Sequence, residues 1–405
     1  MPEAPAARSR RPRRGLKLIL PLLLFYSGLI SIFVLGAEVA LRLTESRGRH
    51  DRRVRLQHAM TGVPDPKTGM FFADPTLGYT CRPNSLFEHE NRGWRGVFEI
   101  DADGLRRFRH LESLPRPANP RARLLIVGDS YAFSMGAHDD ESIDHFLLQS
   151  APDVTLKNVS SPGWSPEQYL LALESFVERV RPTHVYVLLC HLNDLYGLQN
   201  CTAYNRFKPT VRVRGGRPDG ICLPSEMARF RPFGESIYWE SRLAFAIGGW
   251  LEPGYLKGLS GVDEPYGMLR NYSVDRLQIY SAALNAAGKF DPVWTRFDYL
   301  MERLEKASKA GGFQVTLLVL PLGEIASFVD VDGLAGQLPA DAAVATVLER
   351  VRESTSRHGV GFLYPEEPFS GAGRSAFSEE GHYGPVGNRL LAEAILAHLR
   401  RNPGR

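Results

Sequence analysis

Five short apolar runs alternate with longer amphipathic stretches through the C-terminal two thirds of the chain. The apolar runs are Leu124–Val127, Thr155–Val159, Val185–Leu189, Val315–Leu320 and Gly361–Tyr364. Runs of this length are typical of strands buried on both faces of a parallel sheet. The intervening stretches predict helices over Ser142–Gln149, Pro166–Val180, Asp291–Ala310, Ala342–His358 and Pro385–Leu399. This alternation predicts a three-layer α/β/α fold, with helices on both faces of a five-stranded parallel sheet.

The N-terminal region contains an apolar segment of a different kind. The 20 residues from Leu18 to Ala37 carry no charge, and as a helix they would span ~30 Å, the thickness of a bilayer core. The segment is longer than the apolar region of a cleaved signal peptide, which runs about 7–15 residues. We therefore predict a basic tail over 1–17 and a single transmembrane helix over 18–41 that lies in the lipid bilayer.

The orientation of that helix depends on its flanking charges. Lys and Arg are equally numerous before and after the apolar segment, so their count alone does not decide. The preceding cluster lies closer to the segment, which favours a cytoplasmic N-terminus and an extracytoplasmic body.

Composition predicts three further regions after the apolar segment: a linker, a small lead-in and a main domain. Residues 42–70 are charged and lack an apolar period, which predicts a juxtamembrane linker. Residues 71–120 are rich in Gly, Pro, Asn and aromatic residues and predict a small β-rich lead-in. The main domain covers 121–402, with an insertion over 197–272. Cys201 and Cys222 flank a hairpin-like stretch of that insertion, and the sequence leaves open a disulfide or two separate thiols.

Charge excludes one class of function from the body. The 405-residue chain has a net charge of +4, but residues 1–57 hold 12 Lys and Arg against 4 Asp and Glu, so the remainder is net negative. A nucleic-acid partner is therefore not expected. No P-loop, His-Glu-x-x-His or Cys-x-x-Cys motif occurs, and we predict neither a cofactor nor a metal.

A serine and a distant histidine are the candidate reactive pair. Gly128-Asp129-Ser130 closes the first apolar run, and His382 precedes the last predicted helix. A serine hydroxyl is a weak nucleophile unless a base accepts its proton. A carboxylate can hold the imidazole in the required tautomer. Glu379, three residues before His382, is favoured for this role, and Glu380 remains an alternative.

Two further residues are candidate oxyanion donors beside the Ser130 backbone. Gly163 offers a backbone N–H that a substrate can approach closely, and Asn193 offers a side-chain NH₂. Both follow predicted strands, as Ser130 and His382 do. In open α/β sheets, functional groups gather at the carboxyl ends of the strands.

Together these residues resemble the sequence blocks of the SGNH (GDSL) hydrolases. Gly128-Asp129-Ser130 is similar to the first block, Gly163 to the second, Asn193-Asp194 to the third and His382 to the fifth. The segment 74–79 also resembles the lead-in of membrane-anchored members. The resemblance implies a flavodoxin-like fold and ester hydrolysis or acyl transfer.

Two positions depart from the pattern of that family. His191 stands where the third block usually has glycine, and Glu379 stands where the fifth block usually has aspartate. The leading hypothesis is a membrane-anchored serine esterase that hydrolyses or transfers O-acyl groups, with an envelope glycan as the leading substrate. The alternative is a non-catalytic glycan-binding or assembly protein on the same fold, which the two departures would favour.

Overall fold

The structure is a computed structural model that describes most of the chain. It describes residues 14–44, 70–91, 93–198, 201–203, 206–227, 241–243, 247, 291–321 and 341–403. The chain divides into two compact units, one of residues 1–53 and 231–252 and the other of the remaining residues. Most of the predicted basic tail, the predicted linker and much of the 197–272 insertion lie outside the described residues.

The first unit is dominated by one apolar helix, α1 (Arg14–Thr44). Its segment Leu24–Thr44 has a mean hydropathy of 1.9 and is not buried within the protein. Its Glu38 forms an ion pair with Arg42 (2.7 Å) and accepts the backbone N–H of Leu243 (2.8 Å). The predicted apolar helix is present, and its length and composition suit either a membrane anchor or a signal sequence.

The second unit is built around the predicted parallel sheet. Its five strands are β6 (Ala122–Gly128), β7 (Val154–Ser160), β8 (His184–Leu189), β13 (Gln314–Val319) and β14 (Gly361–Leu363). All the pairings are parallel, in the order β14-β13-β8-β6-β7. Counted along the chain within this sheet, that order is 2-1-3-4-5, which is the flavodoxin-like arrangement. The predicted fold class is therefore confirmed.

Helices cover both faces of the sheet because both faces are apolar. Leu125 and Val127 of β6 point into one hydrophobic cluster, and Leu124 and Ile126 point into the other. The first cluster lies under α4 (Pro166–Val180), α7 (Asp291–Gly311) and α8 (Asp341–Arg357). The second lies under α3 (Ile143–Ser150) and α10 (Pro385–Arg401). Each of these helices begins and ends within two residues of its predicted bounds.

The remaining described elements are short. They are β1 (Phe71–Asp74), β2 (Gly78–Cys81), β3 (Ser85–Asn91), β4 (Trp94–Ile100), β5 (Arg106–Arg107), α2 (Arg109–Glu112), α5 (His191–Gly197), β9 (Thr202–Ala203), β10 (Arg206–Phe207), β11 (Thr210–Arg214), β12 (Arg217–Cys222), α6 (Pro224–Met227) and α9 (Glu366–Ala372). Strands β1 to β5 form the predicted β-rich lead-in, and Tyr79 and Phe98 from it join the first hydrophobic cluster.

The predicted hairpin between the two cysteines is also present. Strands β11 and β12 pair antiparallel, and Gly215 and Gly216 connect them with φ of +55° and +76°. Both residues thus adopt the left-handed conformation that a tight hairpin turn requires. Cys201 and Cys222 are fully buried, and no disulfide joins them among the residues that the structure describes.

One guanidinium from the lead-in fixes the loop that follows β6. Arg106 is buried and donates to the carbonyl oxygens of Phe133 (2.9 Å), Ser134 (2.6 Å) and Ala137 (3.0 Å). It also forms an ion pair with Asp139 (2.9 Å). A buried charge is tolerated when it is paired and hydrogen-bonded, so these contacts hold Arg106 and the loop together.

Burial of Asp144 makes the stability of this region sensitive to pH. Asp144 accepts a hydrogen bond from Asn158 Nδ2 (2.7 Å), and burial raises the pKa of its carboxyl from an ordinary 3.8 to about 6. A carboxyl whose pKa is raised in the folded state stabilises the fold below its unfolded pKa. That contribution is lost as pH rises through the folded value.

We therefore predict that the unfolding free energy of Asp144→Asn, relative to that of the wild type, rises by about 3 kcal/mol between pH 3.5 and pH 7.5. The measurement is denaturant unfolding of both proteins at the two pH values. Asp153→Asn is the control, because Arg121 lowers the pKa of that exposed carboxyl and the pH trend has the opposite sign. A pH-independent difference for Asp144→Asn would contradict the prediction.

Candidate active site

Ser130 lies at the carboxyl end of β6, which runs between β8 and the edge strand β7, and the chain turns sharply there. The Asp129 carboxylate accepts the Tyr131 N–H (3.0 Å), and the Asp129 carbonyl accepts the Phe133 N–H (3.0 Å). A side chain at Gly128 would meet the Ala132 Cβ at 2.6 Å, so this turn requires glycine. Ser130 is 8% exposed at the top of the sheet.

The predicted serine and histidine are in direct contact. Ser130 Oγ lies 2.8 Å from His382 Nε2. His382 belongs to a tight loop whose ends, Phe377 and Tyr383, form an antiparallel bridge, and its carbonyl accepts the Ser378 N–H (2.7 Å). The Tyr131 ring packs beside the imidazole, with a centroid separation of 4.9 Å. The loop and the ring together orient Nε2 toward the hydroxyl.

The carboxylate behind His382 is Glu380, which corrects the sequence preference for Glu379. Glu380 Oε1 lies 3.0 Å from His382 Nδ1, and the side chain is fully buried, whereas Glu379 is exposed. The Gly381 N–H bonds to the Ser378 carbonyl (3.1 Å), and Gly381 has φ of +98°. This turn brings residue 380 under the imidazole ring and leaves residue 379 facing solvent.

A second imidazole contacts the same carboxylate. His89, in β3 of the lead-in, places Nε2 2.7 Å from Glu380 Oε2. Burial alone would raise the pKa of Glu380, but the hydrogen bonds from His382 and His89 outweigh it and lower that pKa to about 2. Glu380 is therefore ionised at neutral pH. His89 was not predicted from the sequence, because no local pattern distinguishes a histidine that contacts a residue 291 positions away.

Asn193 is hydrogen-bonded to the residue that precedes Ser130. It sits in the first turn of α5, directly after β8, and its Nδ2 donates to Asp129 Oδ2 (3.1 Å). Asp129 is fully buried and directly precedes Ser130, so its carboxylate holds the Asn193 amide close to the candidate nucleophile in the chain. The acidic residue of the Gly-Asp-Ser tripeptide thus has a structural role that the sequence analysis did not assign.

Gly163 lies in the loop after β7, the strand that pairs with β6. Its φ is +73°, and its carbonyl accepts the Tyr79 hydroxyl. Gly128 and Ser160 are register partners at the ends of the two strands, so this loop starts at the same sheet edge as Ser130. Within the described residues, no acceptor takes the N–H of Gly163 or that of Ser130.

Asp194 stabilises the turn that presents Asn193. Its carboxylate accepts the Tyr169 hydroxyl (2.8 Å) and the Cys190 N–H (2.8 Å). Burial, together with the nearby negative charge of Asp129, raises the pKa of Asp194 well above its usual range. The group is a structural acceptor rather than a reactive acid.

The unusual His191 is accommodated as a buried neutral side chain. It is the first residue of α5 and is 2% exposed. Burial lowers the pKa of its imidazole to about 4, so it carries no charge at neutral pH. Trp164 and Tyr383, which adjoin the candidate residues, are buried at 1% exposure and pack in the core.

A groove of about 840 Å³ lies elsewhere, along the edge strand β7. Ser130, Gly163, Asn193 and His382 are not among its lining residues. Its Lys157 is paired with Asp101 (3.2 Å). The chemistry of the candidate site is therefore separate from this groove.

Comparisons with known proteins give only distant structural matches. No protein-family model and no curated protein matches the chain. Among solved structures, the psychrotrophic esterase EstA from Pseudoalteromonas sp. matches with 10% identity and a TM-score of 0.33, covering 69% of this chain and 96% of the esterase. A lipolytic G-D-S-L family protein from Veillonella parvula matches with 14% identity and a TM-score of 0.35, covering 69% and 98%.

The contact between Glu380 and His382 predicts which acidic residue matters. Glu380→Gln should slow reaction of Ser130 with a fluorophosphonate probe by about 10²- to 10⁴-fold, because an amide does not hold the imidazole in the same tautomer or stabilise imidazolium. The measurement is the second-order labelling rate of the full-length protein.

Glu379→Gln is the matched control and should label within about twofold of the wild-type rate, because its side chain is exposed. Equal losses in the two variants, or a larger loss in Glu379→Gln, would show that the carboxylate has been wrongly assigned.

Proposed function

We propose that this protein is a membrane-anchored serine esterase that acts on O-acyl groups. The observation that carries the proposal is the 2.8 Å contact between Ser130 Oγ and His382 Nε2, with the ionised Glu380 on the other side of the ring. A serine hydroxyl is activated when a base accepts its proton and an acid on the far side of that base orients it. The flavodoxin-like strand order brings Ser130 and His382 to one sheet edge but does not by itself imply a chemistry.

The reaction follows from these contacts. Ser130 Oγ attacks the ester carbonyl carbon while His382 Nε2 takes the hydroxyl proton, and a tetrahedral oxyanion forms. Collapse of this intermediate breaks the bond to the leaving alkoxide, which receives the proton from His382. Water or an acceptor hydroxyl then attacks the acyl-serine by the same steps and releases Ser130.

The oxyanion would be stabilised by three donors. The N–H groups of Ser130 and Gly163 and the Asn193 amide are proposed to bind it, with Asp129 holding the amide in place. Such donors act on charge that develops only in the transition state. Loss of one such donor typically costs about 3 kcal/mol of transition-state stabilisation.

The proposed substrate class is an O-acyl ester of an envelope glycan. Location favours this substrate class, because an anchor at α1 would hold the body at a membrane surface where such glycans lie. Hydrolysis and acyl transfer use the same four residues and differ only in whether water or a glycan hydroxyl attacks the acyl-serine.

A non-catalytic glycan-binding protein is less consistent with the site. Binding alone does not require a serine and an imidazole in hydrogen-bond contact, or a buried acid that stays ionised behind them. The two departures that favoured this alternative are accommodated, because His191 is buried and neutral and Glu380 provides the carboxylate contact.

The direct test is Ser130→Ala. The wild-type protein should hydrolyse a short acyl-nitrophenyl ester and react with a fluorophosphonate probe, and the variant should lose both activities. Loss of the nucleophile is expected to lower the rate by about 10⁴-fold or more. Absence of labelling in folded wild-type protein would instead favour the binding protein.

The same assay separates hydrolysis from transfer. With a deacylated glycan present, a hydrolase releases free acid at an unchanged rate, whereas a transferase forms acylated glycan. We expect free acid as the product in the absence of an acceptor, because water can then attack the acyl-serine. Acyl-glycan formation that survives in Ser130→Ala would contradict this mechanism.

The anchor is tested by charge insertion. Leu29→Arg combined with Phe33→Arg should move the protein from the alkali-resistant membrane fraction to the soluble fraction, since each arginine costs about 2.5–3.5 kcal/mol near a helix centre. Leu43→Arg, at the end of α1, is the control, because its charge can reach the interface. Mass measurement of the N-terminus identifies cleavage, and cleavage within 18–41 would overturn the anchor.

A further inference from the structure

We propose that His89 is a positioning residue of the active site, holding Glu380 ionised and correctly rotated beneath His382. The inference rests on the proposed function and deepens it. It assigns the N-terminal lead-in a part in the reaction, since His89 belongs to β3 and is separated from Glu380 by 291 residues.

Glu380 is held at both of its carboxylate oxygens. Its side chain is fully buried, and its two oxygens contact two different imidazoles, His382 at 3.0 Å and His89 at 2.7 Å. A buried carboxylate needs hydrogen-bond donors in place of water. Removing the His89 donor would leave Oε2 without that partner in a site closed to solvent.

The proton positions follow from the charge on the carboxylate. An ionised carboxylate only accepts hydrogen bonds, so His382 must carry its proton on Nδ1 and His89 must carry one on Nε2. His382 Nε2 is then the nitrogen that accepts the Ser130 hydroxyl proton. With this one arrangement of protons, every hydrogen bond in the series from Ser130 through His382 and Glu380 to His89 has a donor and an acceptor.

Aromatic packing fixes the His89 ring in this position. The ring centroid lies 6.0 Å from that of Trp94 and 6.1 Å from that of Phe87. Gly96 is the register partner of His89, and a side chain there would meet the Trp94 ring at 2.1 Å. Glycine at this position therefore lets Trp94 fold back beside the imidazole.

Aromatic packing could by itself be the role of His89. Two substitutions distinguish that role from the hydrogen bond to Glu380. His89→Gln keeps a side-chain N–H that can reach the carboxylate but removes the ring. His89→Phe keeps a ring of similar size but removes the donor. If the hydrogen bond matters, the glutamine variant is the more active. If the packing matters instead, the phenylalanine variant is the more active of the two.

The experiment measures ester hydrolysis by the full-length protein in detergent. His89→Phe should lower kcat by about 10- to 100-fold with KM within about twofold, the loss expected for a hydrogen bond to a charged group. His89→Gln should retain kcat within about threefold of wild type. His110→Phe is the control, because that histidine is exposed and bonds to His145. A phenylalanine variant as active as the glutamine variant overturns the proposal.

A second measurement does not depend on esterase activity. In protein labelled with ¹⁵N-histidine, the His382 Nδ1–H resonance should move in His89→Phe and stay in place in His110→Phe. An unmoved resonance in His89→Phe overturns the role of His89 even if Ser130→Ala confirms the esterase. A moved resonance in a protein that hydrolyses no ester supports the contact and rejects the proposed function instead.

Discussion

The contact between the Ser130 hydroxyl and the His382 imidazole joins residues that are 252 positions apart. It exists because the parallel sheet delivers the carboxyl ends of its strands to one edge, where the loops after β6 and β14 meet. The sheet in turn depends on strands that are apolar on both faces, since each face is covered by helices. A polar residue in the middle of β6 would therefore disturb the reactive pair through the core, without touching either member of it.

Two of the contacts that bind the lead-in to this arrangement involve the loops of the candidate reactive pair. Arg106 donates to three carbonyl oxygens of the loop that begins at Ser130, and His89 contacts the carboxylate that orients His382. Both contacts involve a buried charge that would be costly without its partner. The loop with the candidate nucleophile Ser130 and the loop with the candidate base His382 are therefore each held by a residue from the same small β-sheet.

The parts of the structure that were predictable from sequence are those with a local signal. Strands and helices such as Pro166–Val180 were readable because burial imposes a period on neighbouring residues. Ser130 and His382 were identified because each follows a strand in an α/β pattern. The choice between Glu379 and Glu380 depended on the turn at Gly381, where one residue reverses which side chain faces inward. His89 gave no local signal at all, because its partner is set by the tertiary fold.

The identity of the acid accounts for the second imidazole. Glutamate has one more rotatable bond than aspartate, so fixing its carboxylate costs more conformational entropy and leaves more ways to misplace it. One hydrogen bond from His382 constrains one oxygen but leaves the carboxylate able to rotate about it. A donor on the other oxygen removes that freedom, and His89 lies 2.7 Å away on that side. Under the proposed function, this glutamate and the histidine of the lead-in act together, because the longer acid is held at both oxygens.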